Sequence, residues 1–151
     1  MPEVKVPPVA RTLARRMLLH EVGGRAEPTA MAEGAARADA RLRGRLTGLI
    51  GLTGYTILVA RAVRLARAEV PTLEGVAVDT GETGSDGSLH GVHDFARASG
   101  DAAAAEAGLS AILAHVIGLL ITFIGEDLAL RLIREAWPEL AHGQDDVEEH
   151  V

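Results

Sequence analysis

Two side-chain patterns in this 151-residue chain have the types and spacing to do chemistry. The first is His90-x-x-His93-Asp94. On a helix it sets two imidazoles one turn apart with a carboxylate beside them, a partial ligand set for a transition metal. No fourth ligand follows from the spacing, so His90, His93 and Asp94 are only a candidate metal site. Upstream, Asp79-x-Gly81-x-Thr83-Gly84 has part of the alternation of a calcium loop. It fails at the third position, Gly81, and at the twelfth, His90, where a bidentate glutamate belongs.

The second pattern is Arg37, Arg41 and Arg45, at i, i+4 and i+8, with Arg43 nearby. One helical face then carries a stripe of guanidinium groups, a candidate surface for an acidic protein partner. Ion pairs along the same helix, such as Glu33–Arg37 and Asp39–Arg43, are the plainer use of these side chains. His115 lies in an apolar stretch and reads as a core histidine. There is no Ser/His/Asp arrangement, no phosphate-cradling glycine loop after a strand, and no paired Glu-x-x-His set of a di-iron bundle. The expectation is a protein without catalytic residues or a cofactor, hence not an enzyme.

The charge is unevenly spread. The net −6 divides into +6 over residues 1–70, with 12 basic and 6 acidic groups, and −12 over 71–151, with 3 basic and 15 acidic groups. Opposite halves attract, within one chain or between subunits. Nucleic acid is disfavoured as a partner, since the net charge is negative and no aromatic platform accompanies the arginines. With no cysteine, disulfides and thiolate chemistry are excluded. No apolar signal core precedes residue 9, and the expected location is cytoplasmic.

The elements that must position these residues are helices. Aromatic residues are 3% of the chain, so the core is aliphatic, and Ala, Leu, Arg and Glu all favour helix. Sliding the chain by 67 positions aligns 35–73 with 102–140 without a gap, with 16 of 39 positions identical. Ile50-Gly51-Leu52 meets Ile117-Gly118-Leu119, and Val70-Pro71-Thr72-Leu73 meets Trp137-Pro138-Glu139-Leu140. The expectation is an internal duplication folded as an all-α, single-domain pseudo-symmetric bundle of about five or six helices. The helical domain spans 9–141, between a disordered stretch 1–8 and a disordered acidic tail 142–151. Each copy breaks at glycine, near Gly51–Gly54 and at Gly125, and a hairpin suits a compact domain better than one long kinked helix.

Between the copies, 71–100 reads as an irregular insert, with an extended piece at 76–78 and a short helix at 88–99 capped by Ser88. An earlier helix over 9–21 carries Val9, Leu13 and Met17 as its apolar stripe.

One run, 107–125, has 19 residues without a formal charge, long enough to span a bilayer. Its counterpart in the 67-position register, 40–58, holds Arg41, Arg43 and Arg45, which favours a buried helix over a membrane span. The functional expectation is a non-enzymatic interaction or regulatory protein of the adaptor type, homodimeric, with 102–140 as the buried or assembling half. The alternatives are a membrane-associated helical pair and a small ligand- or metal-binding bundle.

Overall fold

Helix-forming residues run in long stretches here, and proline and glycine punctuate them. Pro8 and Pro28 stand in first helical turns, where the missing N–H had no partner to lose. The Asp101 carboxylate accepts from the Ala104 N–H at 2.7 Å and caps the helix after it. The computed structural model describes residues 6–25, 27–78 and 89–140. Its helices are α1 (Pro8–Val22), α2 (Pro28–Glu69), α3 (Val92–Ser99), α4 (Ala102–Ile124) and α5 (Glu126–Ala136). A 3-10 turn covers Pro71–Gly75, and β1 (Ala77–Val78) pairs antiparallel with β2 (Leu89–His90). The protein is all-α, with two-residue strands as its only sheet among the described residues.

α2 is not one rod. Gly51 has φ 80° and ψ 162°, a region open essentially to glycine alone. Asp39 and Tyr55 lie on opposite sides of it. In a straight helix they would be about 24 Å apart along the axis. Instead the Tyr55 hydroxyl donates to the Asp39 carboxylate at 2.5 Å and to the Asp39 carbonyl at 3.1 Å. The chain therefore doubles back at Gly51, and α2 is a hairpin of two arms, 28–50 and 52–69. Gly125, with φ 93° and ψ 154°, makes the same corner between α4 and α5. The breaks expected at these two glycines are both present.

The arms correspond in detail. Pro28 and Ala102 open helical stretches of 23 residues, and Gly51 and Gly125 close them, so this part of the chain matches at an offset of 74 positions. In each stretch the seventh residue is a buried glycine. Gly34 lies under Val22 of α1, and Gly108 lies under the Phe95 ring of α3. After the corners the second arms differ in length, 52–69 against 126–136. Each then ends alike: Leu73 donates to the Val70 carbonyl at 3.0 Å, and Leu140 donates to the Trp137 carbonyl at 3.1 Å. At this end the offset is 67. The gapless register of the sequence coincides with the end turns alone, and at the corners it sets Gly51 opposite the mid-helix Gly118.

Both corners lie at one end of the bundle. Gly34 of the 28–50 arm meets the C-terminal turn of α1, and a short Gly23-Gly24 turn joins the two helices, so the arm runs antiparallel to α1. Arg15 pairs with Glu106 near the start of α4, while Gly118 faces Pro7 at the start of α1. α4 is therefore antiparallel to α1 as well, and Gly51 and Gly125 point the same way.

The core is aliphatic, as composition predicts, and α4 is its centre, with every residue from Ala111 to Gly118 buried. Some large apolar side chains face outward instead, Val9 of the expected α1 stripe among them. In α1 the buried stripe is Ala10, Ala14, Met17 and Leu18, and Val9 is exposed. Leu49 and Phe123 are exposed too. The helix of the insert starts at Val92 after Gly91, not at Ser88. Residues 1–5, Ser88, most of the calcium-like stretch and the tail 142–151 lie outside the described residues.

Candidate functional site

The polar side chains of α1, α2 and α5 gather around one buried carboxylate. Glu21 ends α1 with its side chain 7% exposed. A charge at that depth must be paired or bear a large desolvation cost. Three donors reach it. Trp137 Nε1 donates at 2.9 Å, Arg41 Nε lies at 3.1 Å, and Arg37 Nε at 3.7 Å. Arg41 also donates through Nη1 to the Ala136 carbonyl at 2.9 Å and through Nη2 to Glu139 at 3.0 Å. Its guanidinium carbon stands 5.4 Å from the Trp137 ring centroid, within cation–π range. Arg45 pairs with Glu135, and His20 Nε2 lies 3.4 Å from Glu139.

The arginine stripe is thus one face of α2, as its spacing predicts, and its carboxylates come from this chain, from α5 and the residues after it and from the end of α1. The attraction between halves acts here within the molecule. The Arg41 hydrogen bond holds the Glu139 carboxyl down at about 2, against an ordinary 4.5, and the same bond raises Arg41 further. Trp137 is fully buried, the packing plug its place before Pro138 suggests.

A second cluster crosses α1, α2 and α4. Arg11 grips Glu69 with both terminal nitrogens, at 2.8 and 2.9 Å, and His115 Nε2 lies 3.0 Å from the same carboxylate. The Arg11 bond, helped by His115, lowers the Glu69 pKa. His115 is a core histidine as expected, and Glu69 is the partner that its apolar surroundings in sequence conceal. Its Nδ1 is buried without a hydrogen-bond partner among the described residues. The geometry links α1, the end of α2 and α4 through one carboxylate. The third cluster, Tyr55–Asp39–Arg43, lies across the Gly51 corner, with Arg43 3.5 Å from Asp39. Burial, reinforced by the Asp39 charge, drives the Tyr55 hydroxyl far above its ordinary pKa, so it serves as a donor only.

The expected metal site is not assembled. His90 is in β2, while His93 and Asp94 are exposed on α3, and Asp94 pairs with Arg97 one turn on. Among the described residues no group of three His, Asp or Glu side chains converges as a metal site would require. A cleft of 160 Å³ between α1 and α5 is lined by Leu13, Ile133, Trp137 and Leu140, with Arg16 and Arg134 beside it. Two larger depressions, of 490 Å³ along Arg43, Thr47 and Leu52 and of 350 Å³ along Arg11, Arg15 and Leu19, are shallow and open to solvent.

What remains is apolar surface. α4 is long and apolar enough to cross a membrane, whereas the apolar window of α2 runs through the Gly51 corner and is not one straight helix. The apolar window of α4 is 61% buried in the bundle, whereas that of α2 is only 28% buried. No family model matches this chain, and no curated protein or solved structure matches it either.

Proposed function

We propose that this chain is a non-enzymatic helical interaction protein of the adaptor type, cytoplasmic, and that it works as a homodimer. One observation carries the reading: Leu49, Leu52 and Ile57 of α2 are large apolar side chains that its own fold leaves exposed. Apolar surface of that extent favours association. The polar groups that might have done chemistry are occupied in holding helices together, which supports a binding role over a catalytic one.

The reading includes an internal duplication. Its support is the matched order of helix, buried seventh-residue glycine, glycine corner and proline-led end turn in both halves. The second half then lacks seven residues, about two helical turns, in its arm after the corner. Two parallel 23-residue helices related this way imply a pseudo-two-fold axis along the bundle.

Sedimentation equilibrium of the full chain tests the homodimer. A mass that rises to twice the monomer as concentration increases is expected. A strict monomer at high micromolar concentration would rule the reading out.

A further inference from the structure

We propose that two copies of this chain join at the end of the bundle that carries both glycine corners, the Gly51 corner of each copy seated on the Gly125 corner of the other. This rests on the homodimer reading and names its surface. Among the described residues, five of the seven exposed large hydrophobic side chains flank the two corners: Leu49, Leu52 and Ile57 around the first, Phe123 and Leu128 around the second. The pairs Arg41–Glu139 and Arg45–Glu135 run α5 antiparallel beside the 28–50 arm, which carries Gly125 to the level of Gly51. The two apolar groups therefore share one end of the molecule.

Charge says what covers them. Beyond the first corner, Arg61 and Arg64 follow Ile57 at i+4 and i+7 and are exposed. At the second corner, Glu126 and Asp127 open α5 and are exposed. None of these four forms an ion pair with another described residue, and the same holds for Arg67, Arg131 and Arg134. The Gly51 side thus carries an apolar-basic patch that runs from the corner down the 52–69 arm, and the Gly125 side an apolar-acidic one. A two-fold rotation sets the basic patch of each copy on the acidic patch of the other, so both contacts form at once and the assembly closes. A bilayer fits this end poorly, because Glu126 and Asp127 would approach lipid without a counter-charge.

The test uses two charge-reversed full-length variants, Arg61→Glu/Arg64→Glu and Glu126→Arg/Asp127→Arg, all at exposed positions. Unchanged circular dichroism melts serve as the control for folding. Each variant alone opposes like charges at both contacts, and its dimer dissociation constant is expected to rise more than about tenfold. Mixed in equal amounts, the two variants restore attraction at both contacts, and light scattering should show a heterodimer of wild-type affinity. If either variant dimerises as the wild type does, this surface is not the interface, although the homodimer reading stands. If mixing fails to restore the dimer, the corner-to-corner pairing is wrong. A wild type that is monomeric overturns the homodimer reading itself. Wild type that floats with anionic phosphatidylglycerol vesicles, and loses this on Leu52→Glu, would assign the corner end to a lipid surface instead.

Discussion

Glu21 is a carboxylate nearly out of water, held by an indole N–H and two guanidinium groups from other helices. Removing one donor leaves part of its charge uncompensated, which matters more than the contact itself. Arg41→Ala should therefore lower unfolding free energy by about 2 kcal/mol, read from urea melts. It also removes the cation–π partner of Trp137 and the bond to the Ala136 carbonyl. Arg41→Lys should recover only part of this, because one ammonium cannot serve Glu21, Glu139 and a carbonyl at these angles. Tyr55→Phe deletes the one hydroxyl that joins the two arms of α2 at Asp39, and a loss of about 1–3 kcal/mol is expected on the same measurement.

At the scale of elements, the two corners decide the fold. At φ 80° and ψ 162°, and at φ 93° and ψ 154°, a β-carbon is strained even though space around both glycines is open. Gly51→Ala and Gly125→Ala should each cost about 1–3 kcal/mol, seen as a lower thermal midpoint with helix content retained. Equal losses at the two sites would fit their shared geometry, and a neutral Gly51→Ala would argue that α2 does not turn there. The buried glycines act differently. Gly108 has ordinary helical geometry, and a β-carbon there would run into the Phe95 ring. Gly108→Ala should destabilise, and Phe95→Leu in the same chain should restore part of the loss, because the conflict is steric.

At the scale of the molecule, acids after residue 71 bind arginines before it, so stability follows the ionisation of those acids. The Glu139 carboxyl has a folded-state pKa near 2 against an ordinary 4.5, and Glu69 is lowered as well. A depressed carboxylate stabilises the fold in full above its unfolded value, and that contribution is lost as pH falls toward the folded one. Stability should accordingly decline between pH 4.5 and about 2, and Glu139→Gln should be less stable at neutral pH with a shallower decline over that window. Equal slopes for the two proteins in acid titrations would show that the Arg41–Glu139 pair contributes nothing.

Composition and periodicity determine a good deal of this protein. They give the helical class, the aliphatic core with α4 at its centre, the Asp101 cap, the glycine breaks and the arginine face of α2. Each is local, readable from neighbours within a turn or two. The register between the halves is not local in that sense. A slip of seven residues turns a helix face by only about 20°, and alanines and leucines match better at 67 than at 74. Only the corner glycines and their shared backbone angles mark the offset of 74. The partners of the arginines are likewise a tertiary matter, since Glu21, Glu135 and Glu139 stand up to 98 positions from the arginines they bind. Sequence supplies a charged stripe and an acidic half. The fold decides that they meet inside one chain, and it leaves Leu49 and Leu52 at the first corner and Phe123 at the second exposed.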